Sequence, residues 1–297
     1  MGSLKEVRNR IVSVKSTQQI TRAMKVVSAA KLRKAQQRIT QMRPYALKLQ
    51  SLLSHLSNSL EGSDAMKYFE ERQVRRVLLV IVTSDRGLAG SFNSVIVKEA
   101  VKALQTKYNH LDASNVDVLT VGKKGGDVYR KAKHTLVDQH NTMFTNLTYE
   151  ASEAIANKVM DLFVDGSYDA VDVVYNQFKN AAVYIPTVER FLPVPVAAEE
   201  KSDDKGHGHE MVDYIFEPSK EEIVAQLITQ SLRVSFFRTL LESNAAEHGA
   251  RMTAMDKATD NAEDLLNALK LQYNKERQAS ITKEILEIVG GAKALNG

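Results

Sequence analysis

The fold predicted for this chain is a compact α/β domain inserted between two long helices, one at each end, that return alongside each other as an antiparallel pair. Three observations predict it. The last eighty residues carry a helical apolar stripe that no proline interrupts between Pro218 and Val289, and Gly249 is the only glycine there. The first sixty residues carry a second such stripe, and strand-like and helix-like runs alternate between the two.

Residues 3 to about 58 read as the first helix. Leu4, Val7, Ile11 and Val14 step by three and four, as one helix face requires. The phase is expected to shift across Gln18, Ile20, Met24 and Val27, then recover through Ala35, Ile39, Met42, Ala46 and Leu49 to Leu60. Such a break alters a supercoil locally without ending it. Pro44 removes one backbone donor and is expected to kink the helix. The stripe keeps its phase on both sides, so a single helix is predicted, stopped by Gly62-Ser63-Asp64.

From about residue 74 the pattern changes. Val77 to Val82 is an apolar run without helical period, suited to a buried strand. Further strands are expected at 116–121, weakly at 134–138, and at 170–175, with helices near 91–109, 123–132 and 148–165. This alternation predicts a largely parallel sheet. Residues 182–192 and 211–216 are expected to form a hairpin around the polar loop 199–209.

Ser219, followed three residues later by Glu222, has the chemistry of a capping box opening the second helix. Apolar or small residues then recur at 234, 237, 241, 245, 252, 255, 262, 266, 269 and 273. A helix over 219–289 extends about 105 Å, several times the radius of gyration of roughly 13 Å for a compact hundred-residue domain. Its stripe needs a partner, and the first helix is the available one. The predicted seam uses Ile11, Val14, Ile39 and Met42 against Met252, Met255, Leu266 and Leu269. The predicted division is 1–60, 61–218 and 219–297. If 58 lies near 219, residue 3 lies near 274, and the remainder overhangs by about 34 Å. Ile281, Ile285, Leu286, Ile288 and Val289 fall in that overhang. Each forgoes roughly 1.5–3 kcal/mol of burial if left in water, which predicts an enclosing sheath of other subunits.

Composition narrows the chemistry. The 297 residues are 43% hydrophobic and include no cysteine. This supports a packed core and excludes disulfides, thiolate nucleophiles and thiolate metal sites. No apolar run approaches the ~20 residues of a membrane span, and the first residues do not read as a signal peptide. The net charge of +4 hides an asymmetry: residues 1–50 hold twelve Lys or Arg and one acid, Glu6, leaving the rest at −7. Such a basic segment predicts an acidic partner.

Thr83 to Asn93 and Gly122 to Gly126 both sit at strand-to-helix turns, where phosphate loops lie. Neither matches a dinucleotide or Walker pattern, so both are read as structural turns. His207, His209 and Glu210 could suggest a metal but share a polar loop without further ligands. No catalytic constellation and no cofactor site is predicted. A nucleic-acid-binding coiled coil and an enzyme acting on a nucleotide or phosphosugar are the rival readings.

Three segments carry a resemblance that covers nearly the whole chain: Ile11–Ala35 with its Ser16-Thr17-Gln18-Gln19-Ile20-Thr21-Arg22-Ala23-Met24-Lys25 core, Ser84–Asn93, and Ala250–Ala262 with Tyr273–Thr282. They resemble the gamma subunits of bacterial rotary, F-type ATP synthases. The resemblance implies a Rossmann-like α/β domain flanked by a two-stranded rod. It implies a rotor shaft without catalytic residues, turning inside a ring of alpha and beta subunits. The foot would stand on the c-ring and epsilon, with delta in the same complex. By position, Met24, Lys25, Arg277, Gln278, Thr282 and Glu284 would face the beta subunit, and Tyr214 would belong to the foot. No nucleic acid is implied, and the membrane is reached only through the complex, at the cytoplasmic face of the bacterial inner membrane. The chain carries no cysteine-bearing regulatory insertion of the chloroplast type, so thiol control is not expected.

Overall fold

The computed structural model describes residues 4–56, 64–131, 135–195 and 220–295. The chain divides into two compact units, residues 1–30 with 251–297, and residues 31–250. Two helices contribute to both: α1 (Leu4–Leu56) and α5 (Lys220–Leu295). The second unit also holds β1 (Val77–Val82), β2 (Val116–Val121), β3 (Thr135–His140), β4 (Ala170–Phe178) and β5 (Tyr184–Leu192). Between these strands lie α2 (Phe92–Lys107), α3 (Lys123–Tyr129) and α4 (Tyr149–Val164).

The five strands form one mixed sheet in the order β3-β2-β1-β4-β5. The first four are parallel, and β5 runs antiparallel to β4. β1 sits at the centre with all six side chains buried, which explains why its sequence is apolar without alternation. Leu78, Val80 and Val82 face a core shared with α4 and with Val224, Ile228, Leu232, Phe236 and Leu240 of α5. Val77, Leu79 and Ile81 face Ile96 and Ala100 of α2. The hydroxyl of Thr148 accepts a hydrogen bond from the Ala151 amide at 3.3 Å and caps α4.

β5, at residues 184–192, forms a hairpin with β4, and the 211–216 segment expected beside it lies outside the described residues. At the β4–β5 turn the Asn180 carboxamide oxygen accepts from the amides of Ala182 (3.0 Å) and Val183 (2.8 Å) and helps reverse the chain. One expectation needs correction: the stripe of α1 keeps one phase throughout. Thr21 and Ser28 are buried, whereas Ile20 and Val27 are 57% and 55% exposed. Pro44 lies inside α1. Ser219, with its expected capping role, and the 199–209 loop fall outside the described residues.

Two strand carboxylates are fully enclosed, and each is paired, as burial of a charge demands. Asp172 accepts from Arg190 Nε (2.6 Å) and the Tyr108 hydroxyl (2.7 Å). Asp117 accepts from Arg76 and the Tyr168 hydroxyl, each at 2.8 Å. A third cluster ties α5 to the sheet less evenly. Glu189 of β5 accepts from the Tyr175 hydroxyl (2.8 Å) and from Arg238 (2.9 Å). Glu242 meets the same guanidinium only at 3.8 Å, and its other oxygen is buried without a partner.

Burial pushes the Glu242 carboxyl above its ordinary range; the charge of Arg238 pulls it down, Glu189 pushes it up, and Arg43 pulls it down. A carboxyl raised in the folded state costs stability where it is ionised, and the cost disappears as pH falls through the raised value towards the unfolded one of 4.5. Glu242→Gln is therefore expected to raise the melting temperature at pH 8 by about 2–4 °C, the shift about 1 kcal/mol gives in a chain of this size. The gain should vanish as the pH is lowered towards 4.5, and thermal melts across that range measure it.

Candidate interaction surface

Sheets of this kind take ligands beyond the carboxyl ends of their strands, where the strand order reverses. In this chain that point lies between β1 and β4, and protein fills it. The small face of α5 closes it, with Ala246 and Ala250 packed among Ala89, Phe92, Phe178 and Tyr184. A Cβ on Gly249 would stand 2.8 Å from the Ala181 carbonyl oxygen, so helix and turn touch backbone to backbone. Asn176 donates to the Phe92 carbonyl at 3.1 Å, and the hydroxyls of Ser91 and Tyr184 meet at 2.9 Å.

The two glycine-bearing turns are likewise bonded to each other. The Gly125 amide donates to the Thr83 hydroxyl at 2.7 Å, and the Lys124 amide donates to the Ser84 carbonyl at 3.0 Å. Gly122, at φ 99°, lies so close to Thr83 that a Cβ would fall 2.1 Å from its carbonyl oxygen. The Ser84 hydroxyl donates to the Arg86 carbonyl at 2.6 Å, and Asn93 bonds both the amide and the hydroxyl of Ser84. The amides of Ser84, Gly122, Lys124 and Gly125, which could have cradled a phosphate, are satisfied within the fold. Among the described residues, no cluster of three or more His, Cys, Asp or Glu could hold a metal. His207, His209 and Glu210 lie outside them.

The first unit is a pair of antiparallel helices. The hydroxyls of Thr21 and Thr259 meet at 2.8 Å, and Lys25 forms an ion pair with Asp256. Each step up α1 is thus a step down α5, and partner numbers sum to 280 or 281. That register sets Leu4 at the level of Glu276 or Arg277, about three positions beyond the offset that pairs 3 with 274. Among the buried or half-buried positions of α1, 4, 7, 11, 14, 18, 21, 25 and 28 alternate steps of three and four, with Met24 half-buried beside them. On α5, 255, 259, 262, 266, 269, 273, 276 and 280 keep the same rhythm, with 256 and 258 half-buried beside it.

The residues assigned to the seam take different places. Met255, Leu266 and Leu269 are buried, and Ile11, Val14 and Met252 are half-buried. Ile39 and Met42 belong to the other unit, where they pack against the core on the α4–α5 face of the sheet. Of the residues assigned to a partner, Arg277, Gln278, Thr282 and Glu284 are all exposed, with the Thr282 hydroxyl donating to the Gln278 carbonyl at 2.9 Å. Met24 is half-buried, and Lys25 is engaged by Asp256. Tyr214 lies outside the described residues.

Two surfaces are left in water. Between residues 12 and 27 the outward face of α1 carries Val12, Ile20, Val26 and Val27, while hydroxyls face inward. At the end of α5 every described side chain from 281 to 292 is exposed, with Leu286 and Ile288 at 66% and 71%. The seam rhythm would continue there at Lys283 and Glu287, which pair with each other at 3.7 Å on the surface. The apolar residues Ile281 and Ile288 stand instead one position later, about 100° round the helix, and Ile285 stands two positions after Lys283. The end of α5 therefore addresses something other than α1. The inward polar residues of α1 escaped the sequence reading because hydroxyls resemble surface; strict three-four spacing was the signal that would have found them.

Residues 3–295 match the family model described as ATP synthase. The chain is 54% identical to the ATP synthase gamma chains of Cytophaga hutchinsonii and of Flavobacterium johnsoniae, each over the full length of both proteins. A chain of the central stalk and c-ring structure of the Tetrahymena thermophila mitochondrial ATP synthase is 28% identical. It covers 80% of this chain and 99% of that one, with a TM-score of 0.60. A chain from the Euglena gracilis mitochondrial ATP synthase, at 21% identity, 98% and 94% coverage and a TM-score of 0.65, shares the fold. With full-length relatives of that identity and a family model spanning almost every residue, the chain belongs to the ATP synthase gamma chain family.

Proposed function

We propose that this chain is the central rotor shaft of a proton-translocating ATP synthase. It carries torque between a membrane c-ring and a catalytic ring of alpha and beta subunits, and so supports ATP synthesis and regulates ATPase activity and proton flow. It contributes no catalytic group of its own. It reaches the membrane only through the complex, at the cytoplasmic face of the bacterial inner membrane; no described helix is long and apolar enough to cross one. The observation that carries this reading is the end of α5, still helical to Leu295 with its isoleucines in water and out of phase with the seam. The helix spends burial on a surface that α1 cannot cover.

In this reading Arg277, Gln278, Thr282 and Glu284 meet the beta subunit at the tip, and Met24 meets it lower on α1. Lys25 takes part while paired to Asp256, so it acts as a shared charge. Residues 61–218, including Tyr214, form the foot on the c-ring and epsilon, and delta belongs to the same complex. Ile11, Val14, Met252, Met255, Leu266 and Leu269 keep the two helices in one torque-bearing unit. The charge of α1 supplies a long-range attraction to acidic levers without fixing one geometry, which suits contacts that form and break in each turn.

Arg22, Lys31, Arg33 and Lys34 are exposed on α1 and form no ion pair among the described residues. Changing all four to Glu is expected to lower proton pumping per ATP hydrolysed by roughly fivefold, the factor about 1 kcal/mol provides. ATP-driven quenching of a pH-sensitive dye in membrane vesicles, normalised to hydrolysis, measures it; unchanged pumping would remove the electrostatic part of the proposal.

Deleting residues 286–297 is expected to cost less coupled activity than the pair Met252→Glu and Met255→Glu. Unpaired charge forced into a packed seam costs about 3 kcal/mol or more, whereas the deletion leaves the seam intact. Pumping assays on both variants in the assembled complex decide the order. A worse defect from the truncation would transfer the main torque-bearing role to the tip.

A further inference from the structure

The seam of the helix pair changes chemistry along its length. Towards the α5 end it is apolar, with Ile11 and Val14 at the level of Leu269 and Leu266. In the middle α1 turns Gln18, Thr21, Lys25 and Ser28 inward beside a half-buried Met24, and α5 answers with Thr259 and Asp256 among Met252, Met255 and Ala262. The hydroxyls there are also held by their own helices. Thr21 approaches the Gln18 carbonyl at 3.0 Å, Ser28 donates to Met24 at 2.8 Å, and Thr259 donates to Met255 at 2.7 Å. Thr17 does the same to Ser13 at 3.0 Å. Each hydroxyl has one proton to divide between the carbonyl of its own helix and the other threonine, so a single hydrogen bond at most joins Thr21 to Thr259.

Each feature lowers the local cost of separation. Hydroxyls facing carbonyls one turn back bend and slightly destabilise helices. A bond between two hydroxyls contributes little net stability, because water offers each an equivalent partner. The Lys25–Asp256 pair is partly exposed and screened. Val26 and Val27, which could have filled the seam, point outward.

We infer that residues 18–28 with 252–262 form a soft segment of the coiled coil, the level at which the two helices open and twist first. The inference rests on the seam chemistry alone and stands whether or not the rotor reading does. Outside the seam the same stretch offers valines and Ile20 to whatever surrounds it, so a surrounding partner would stiffen it from without.

Hydrogen exchange on the purified full-length chain tests this directly. Amides of 18–28 and 252–262 should exchange about tenfold faster than those of 11–14 and 32–35 on either side, giving a protection minimum within α1. Fraying from the free end would give a steady gradient instead, and that result overturns the inference. In Thr21→Val/Thr259→Val the minimum should disappear while exchange in β1 stays unchanged. Thr21→Ser/Thr259→Ser should keep it. A minimum that persists in the valine pair would also overturn the inference, and Thr259→Val alone serves the same comparison if the double variant does not fold.

Discussion

Two stretches of chain separated by more than two hundred residues have to meet along one narrow stripe. Thr21 and Thr259, 238 positions apart, touch at 2.8 Å, and the heptad rhythm on both helices exists to permit that contact. An isolated helix is marginal in water, so neither α1 nor α5 has reason to persist in this unit unless the other covers its stripe. Antiparallel pairing follows from the topology, since the inserted sheet returns the chain towards its start. Register then follows from matching steps, and it decides which residues of α5 are left over. The overhang is a consequence of that arithmetic, because α1 begins at Leu4 and the helix opposite continues to Leu295.

α5 meets three environments in one uninterrupted helix, and its composition changes with each. Over 224–241 it presents large apolar side chains to the sheet, as a core face requires. Over 245–250 it turns to alanine and glycine, because there the backbone must approach the β4–β5 turn at contact distance. Beyond 255 it keeps a narrow seam and lets the remaining faces become polar, until the stripe rotates and nothing covers it. The same substitution therefore has different physics in each zone: a larger side chain at Gly249 clashes with backbone, whereas one at Ile285 meets solvent.

Much of this was legible beforehand, for reasons specific to each element. β1 was readable because a strand buried on both faces needs an apolar run without alternation, and β2 and β4 because valines dominate them despite Asp117 and Asp172. The second helix was readable because a stretch of seventy residues between Pro218 and Val289 without proline has few other stable outcomes. Residues 184–192 were readable as a strand, but their pairing with β4 was not. The turn between them rests on the Asn180 side chain and on the Lys179 and Asn180 amides donating to the Val183 carbonyl, and such local bonds leave no periodic trace. The supposed phase shift of α1 failed differently. Ile20 and Val27 were counted as inward because they are apolar, although the actual rule at that level was spacing, with hydroxyls inside. Of the partner-facing residues, the exposed tip positions were accessible to position-by-position resemblance. The bond of Lys25 to Asp256 was not, since it depends on register to within one residue.

That inversion explains how a folded chain can expose so much apolar surface without collapsing on itself. Burying Ile20, Val26 and Val27 against α5 would strengthen the pair but would remove them from any other contact, and hydroxyls inside hold the helices together at lower strength. The sheet shows the opposite choice at its carboxyl edge, where alanines, a glycine and satisfied amides close the place a small ligand would otherwise take. One site gives up chemistry for rigidity and the other gives up internal stability for availability. Both choices suit a protein that acts through the surfaces it presents, since a contact that must be remade repeatedly cannot also be the contact that holds the fold together.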